Sequence, residues 1–317
     1  MEDYKEQNEL FNRMEGAHCR NADQYKSSTE YDIKTNDRVL LINDMAGYGK
    51  VALSAMIPVM SHMGFTLHNL PTALVSNTLD YGKFDILETT AYMKNTLRVW
   101  EDLGFSFDAV ATGFIVSEEQ VRLVAEYCRT QKERGAHIFV DPIMGDDGKL
   151  YNGVTEATIT YMRKLCSVAD IIMPNFTEAA FLAARYEEKT VVTPNEAELL
   201  VHDLRELGAK SVVITSVNVM GENCVFGYDD QMKKMFQIPF DYIPVRFPGT
   251  GDIFSAVLVG NVLRGTPLES AVDKAMKVVR NLILKNKENT DKNKGIPIEK
   301  YLNEIEYPLC PLVHCGY

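Results

Sequence analysis

Five short aliphatic runs constrain this 317-residue chain more tightly than any other feature. They are Val39–Ile42, Asp108–Gly113, His137–Val140, Asp170–Met173 and Ser211–Ser216. Each is too short for a helix, and most stop against a polar residue or a proline, as fully buried parallel strands do. Helical patterns fill the gaps. Lys50–Met63 is apolar on nearly every face and should be kinked by Pro58, and Thr89–Leu103 also reads as a helix. Ser117–Gln120 is a capping box opening an amphipathic helix with Val121, Val124 and Cys128 on its stripe and Gly135 as its stop. Thr66–Ser76 reads as extended chain.

Two more helix starts follow one formula, with Thr at the N-cap, Pro next and Glu third: Thr193-Pro194-Asn195-Glu196 and Thr266-Pro267-Leu268-Glu269. Late in the chain, 223–228 and 233–238 read as an antiparallel pair turning at Asp229 and Asp230. Strand and helix alternate without an internal repeat or a Pro/Gly/Ser linker. That predicts an α/β fold, doubly wound, with a central mostly parallel sheet and helices on both faces.

Composition sets the limits. Residues 1–37 are polar without sustained periodicity and read as a flexible tail with at most a short helix near Glu6–Glu15. The expected organisation is therefore the tail, a domain over 38–309 and a C-terminal tail at 310–317. With 33 Lys plus Arg against 44 Asp plus Glu, the net charge of -11 is a poor match to nucleic acid or an anionic membrane. No run reaches the ~18 apolar residues of a membrane span, and the N-terminus lacks a basic start and apolar core, so a soluble, cytoplasmic protein is expected. The six cysteines, Cys19, Cys128, Cys166, Cys224, Cys310 and Cys315, have neither metal-ligand nor disulfide-framework spacing.

In open α/β sheets ligands bind beyond the C-terminal ends of the strands. Asp44, Asp141, Asn175 with Glu178, and Ser216 stand at those ends. Each alone could be a turn former; their recurrence at one edge is the stronger observation. The segment Phe247-Pro248-Gly249-Thr250-Gly251-Asp252 precedes an apolar helix. Glycines bracketing Thr250 at a helix start offer backbone N–H groups to an anion, and a carboxylate there suits proton removal from an attacking hydroxyl. An ordinary helix cap is the plainer alternative. Other phosphate motifs fail on spacing: a Walker loop would need Gly at 44 and Ser or Thr at 51, where Asp44 and Val51 stand. Gly47-Tyr48-Gly49 lacks the rest of a dinucleotide fingerprint, and no G-x-S-x-G occurs.

Five motifs in order, Asn43-Asp44 with its Gly turn, Ser76 to Gly82, Val140 to Asp146, Pro174 to Glu178 and Gly249 to Asp252, resemble the pyridoxal (pyridoxamine) kinases of the ribokinase superfamily. The match spans about Arg38 to Leu309. The resemblance implies ATP-dependent phosphorylation of the 5'-hydroxymethyl group of a vitamin B6 vitamer by a ribokinase-like homodimer using ATP and Mg2+, with K+ left open. By position it implies Asp252 as base, with Gly249, Thr250 and Gly251 as anion hole. Asp141 and Glu178 would organise Mg-ATP, Asn175 and Ser216 would follow the phosphates, and Gln237, Ile238, Pro239 and Phe240 would line the adenine pocket. Asp44 would contact the substrate under a cover of Leu79, Asp80 and Tyr81.

The chain departs from the pattern in several places. Pro248 replaces a frequent Cys, Asp44 a frequent Ser, Leu79-Asp80 a Thr-Gln, and Ser216 a Lys near the phosphates. The charge that this lysine supplied must come from Mg2+ or from elsewhere. A hydroxymethylpyrimidine or sugar kinase of the same superfamily, and a non-catalytic vitamer- or nucleotide-binding protein, are the competing readings.

Overall fold

The aliphatic runs become neighbours in one sheet. The computed structural model describes residues 37–151 and 154–305. The expected tails, with Cys19, Cys310 and Cys315, fall outside the described residues, Asp37 excepted. The strands are β1 (Arg38–Ala46), β2 (Thr66–Val75), β3 (Ile86–Glu88), β4 (Ala109–Thr112), β5 (His137–Val140), β8 (Ile171–Ile172), β9 (Ser211–Val219), β10 (Glu222–Asp229) and β11 (Lys234–Pro239). Their order is β11-β10-β9-β8-β5-β4-β1-β2-β3. From β9 to β2 every pairing is parallel; β10, β11 and β3 run antiparallel at the edges. A small hairpin, β6 (Gly145–Asp146) with β7 (Lys149–Leu150), stands apart from the sheet.

Because parallel strands are buried on both faces, alternate residues of β1 feed different cores. Leu40 and Ile42 join the side packed by α2 (Thr90–Asp102), α3 (Glu118–Glu133), α4 (Glu156–Cys166), α5 (Phe176–Ala183) and α6 (Pro194–Glu206). Val39 and Leu41 join the side packed by α1 (Ala52–His62), α7 (Thr250–Leu263) and α8 (Leu268–Asn286). The expected helices and the late antiparallel pair are all present, and Pro58 lies inside α1. The Asp170–Met173 run narrows to the two residues of β8.

Two caps differ from expectation. Ser117 accepts from the Gln120 amide at 3.4 Å, but the Gln120 side chain does not return to Ser117. It is buried instead, accepting from Val116 N at 3.0 Å and donating to the Thr72 carbonyl at 2.8 Å, so it ties α3 to β2. The box at Thr193–Glu196 forms in full. At Thr266, however, the backbone N–H still closes α7 by donating to Asn261 O at 3.0 Å, and Pro267 becomes the N-cap without a side-chain bond.

Candidate active site

Asp252 sits in the first turn of α7, and the helix start explains its placement. Gly249 is the N-cap at φ 85°, a conformation that glycine adopts freely, and a Cβ there would overlap the Lys50 carbonyl oxygen. The chain therefore turns tightly against the 50–51 segment before α7 begins. Gly251 is exposed and would meet nothing within 4 Å if it carried a Cβ, so the space where a side chain would stand is open. Thr250 turns its hydroxyl inward to the Phe247 carbonyl at 3.1 Å.

Asn43, in β1 where its register against β2 shifts, is 1% exposed and holds the carboxylate in place. Its Nδ2 donates to Asp252 Oδ1 at 3.2 Å, while its Oδ1 accepts from Phe114 N at 2.8 Å and Asp44 N at 3.0 Å. Gly113 makes this possible, because a Cβ at 113 would overlap the Asn43 amide. The Ala52 N–H also donates to Asp252. Ala52 takes φ 49°, a costly angle for a residue with a Cβ, and such strain concentrates where a site fixes the backbone.

Acidic groups gather here. Burial raises Asp252 to about 6, against which the hydrogen bonds from Ala52 and Asn43 work. Burial and the Asp252 charge raise Asp44 to about 7. The same two causes raise Asp141, at the end of β5, to about 7, opposed by the Ser255 hydroxyl, which donates to Asp141 Oδ2 at 2.9 Å. Glu178 is pushed well above the usual carboxylate range by burial and by the Asp141 charge. It also closes the capping box of α5: Oε2 accepts from Asn175 N and Oε1 from Met144 N, both at 2.9 Å, and Asn175 Oδ1 accepts from Glu178 N at 2.9 Å. Asn175 Nδ2 then donates to the Gly145 carbonyl at 2.7 Å, joining α5 to the β6–β7 hairpin.

Among the described residues no group of three or more His, Cys, Asp or Glu is arranged to hold a metal ion directly. Crowded carboxylates whose protons are retained by mutual repulsion are nonetheless what a hard divalent cation neutralises, and Mg2+ commonly reaches such groups through its own waters. The residues fit Mg2+ in that sense.

The other expected positions spread wider. Leu79, Asp80 and Tyr81 form a 3-10 turn whose Tyr81 hydroxyl donates to Asp291 at 2.7 Å, while Asp80 pairs with Arg246 at 3.3 Å. This turn therefore folds over towards the segment that leads into Gly249. Ser216 is exposed at φ 59°, where β9 and β10 lose register. Gln237, Ile238 and Pro239 lie on the outer strand β11 and line a recess of about 360 Å³ with the start of α8, while the Phe240 N–H bonds Asn223 O. No described hydrogen bond or ion pair joins these four to the carboxylates. Gly113, Ser255 and Arg246 are members that sequence reasoning did not single out, and Asn43 stands in the first motif without a role assigned to it.

The family model for phosphomethylpyrimidine kinase matches residues 53–297. A pyridoxal kinase of Paraburkholderia phymatum is 27% identical over 261 residues, covering 77% of this chain and 87% of its own. A Bacteroides thetaiotaomicron protein, provisionally named a phosphomethylpyrimidine kinase and solved in a form with pyridoxal, superposes with a TM-score of 0.81 at 32% identity, covering 86% of this chain and 96% of that one. Pyridoxal kinase from Leishmania donovani, in complex with ADP and ginkgotoxin, gives 0.77 at 26% identity, with 86% and 96% covered.

Proposed function

We propose, for a chain that belongs to the phosphomethylpyrimidine kinase family and within it to the pyridoxal kinases, the ATP-dependent phosphorylation of the 5'-hydroxymethyl group of a vitamin B6 vitamer. One observation carries the reading. Asp252 stands behind the exposed backbone of Gly251 at the start of α7, held by Asn43 and flanked by Asp44. With its carboxyl near 6, Asp252 is ionised at neutral pH yet basic enough to take a hydroxyl proton as the oxygen attacks. The N–H groups of Gly249, Thr250 and Gly251 then meet the charge on the transferred phosphoryl group, helped by the positive end of the helix dipole. Asp44 contacts the vitamer, and the 79–81 turn covers it.

ATP lies along Asn175 and Ser216 with its base towards 237–240; that a relative is solved in complex with ADP supports nucleotide binding as such. Asp141 and Glu178 would hold Mg2+, partly through its waters, and the bound ion would neutralise charge between the phosphates and the acidic cluster. The same reading carries a homodimer, supported by the apolar surface around β3.

The test is turnover of the purified protein with Mg-ATP against pyridoxal, pyridoxamine, pyridoxine and hydroxymethylpyrimidine, with Asp252→Asn alongside. A vitamer turned over by the wild type and at least ~100-fold more slowly by the variant is the expected result. Turnover of hydroxymethylpyrimidine alone would move the substrate while keeping the chemistry. Nucleotide binding without turnover of any of them would reject the vitamer kinase.

A further inference from the structure

Among the described residues no cationic side chain is paired with the carboxylates along the proposed phosphate track: no lysine or arginine is ion-paired with Asp44, Asp141, Asp146, Glu178 or Asp252, although burial and the Asp252 charge raise Asp44 and Asp141, and burial raises Asp252. A polyphosphate brought to such a site meets like charge, and the backbone N–H groups of Gly249–Gly251 offset only part of it.

Arg246 lies three residues before Gly249, on the strap that enters α7. Its side chain is 63% exposed, and its one described ion pair is to Asp80 of the covering turn, Nη1 to Oδ1 at 3.3 Å. Its charge also acts on Asp146, in the hairpin tied to Asn175, and on Tyr151. The Tyr151 hydroxyl in turn feels Asp146, Glu178 and Asp141. The guanidinium therefore stands among the covering turn, the hairpin beside Asn175 and the glycines of α7. Those are the surroundings of the proposed phosphate track.

We propose that Arg246 is the phosphate-binding cation of this site, exchanging Asp80 for nucleotide phosphate oxygens when the nucleotide binds. The inference rests on the kinase reading above and adds a residue to it. An exposed Arg–Asp pair is screened by water and is worth little, so giving it up costs little. A guanidinium fork on phosphate forms paired, charge-assisted bonds with oxygens that carry more charge than one carboxylate. The exchange also releases one tie of the covering turn, while the Tyr81 hydroxyl keeps its bond to Asp291.

The experiment measures binding of ADP, of a non-hydrolysable ATP analogue with Mg2+, and of adenosine to the full chain by titration calorimetry. The proteins are the wild type, Arg246→Gln, Asp80→Asn and the double variant, each checked for an unchanged melting profile. Arg246→Gln should weaken both phosphate ligands by about tenfold and leave adenosine unchanged. Asp80→Asn should have the opposite sign, tightening the phosphate ligands about two- to threefold because a competing anion is gone, and the gain should vanish in the double variant. Retention of full phosphate affinity by Arg246→Gln would overturn the proposal while the kinase reading survived. So would equal weakening by both single variants, which is the signature of a simple clasp. Absence of nucleotide binding in the wild type would remove the kinase reading and Arg246 with it.

Discussion

Asp44 shows how one residue of this site trades stability for chemistry. Burial and the neighbouring Asp252 raise its carboxyl from 3.8 to about 7, so the folded protein holds a proton that the unfolded chain has released. The sign follows from linkage: the folded state binds more protons between about pH 4 and pH 7, and stability falls as pH rises through that window. Asp141, at about 7, and Asp252, at about 6, act in the same direction. The ligand-free protein should therefore resist urea better at pH 5 than at pH 8. Asp44→Asn should recover on the order of 2 kcal/mol at pH 8 and almost nothing at pH 4, with a loss of vitamer affinity. An equal gain at both values would mean that the carboxylate is not strained. A gain confined to pH 8 is the usual mark of a side chain kept for function at a cost in stability.

At the scale of elements, the start of α7 divides its glycines by role. A Cβ at Gly249 would overlap the Lys50 carbonyl and force an L residue to φ 85°, so Gly249→Ala should lower both melting temperature and activity. Gly251 faces open space, and alanine there gains about 0.5–1 kcal/mol of helix propensity over glycine. Gly251→Ala should melt no lower than the wild type, yet lose activity if the transferred phosphoryl group lies where its methyl would stand. Wild-type turnover in Gly251→Ala would place the phosphoryl group away from that side of the helix start. This helix start was legible in the sequence because its signal is local, as was the Thr193–Glu196 box. Asn43 was not, because the residue it serves lies 209 positions away, and the same holds for Ser255 and Asp141 across 114 positions. The Thr266 cap misled for a related reason: its pattern was read forward into α8, whereas the backbone was already committed to closing α7.

For the molecule as a whole, the alternation of buried runs and helices was enough to predict the sheet and its two cores, because a parallel strand buried on both faces has few other ways to read. The β10–β11 edge was legible as an antiparallel pair, but the other edge was not, since β3 is three residues long and carries no period. The two edges differ in kind. β11 exposes Lys234, Gln237 and Pro239, the residues that keep an edge from pairing. β3 exposes Ile86 and Leu87, flanked by exposed Leu74, Phe84 and Tyr92, with Leu87 at 63%. An apolar edge of that kind is either covered or a hazard, and a second copy of the chain is the cover that the proposed homodimer supplies. Light scattering after gel filtration should then give twice the 35.7 kDa chain mass. Leu87→Glu should give the single chain mass with little change in the fold of each protomer, because a surface substitution costs within about 0.5 kcal/mol. A wild type that runs as one chain at micromolar concentration would reject the dimer. A Leu87→Glu variant that still runs as two would place its interface elsewhere on the surface.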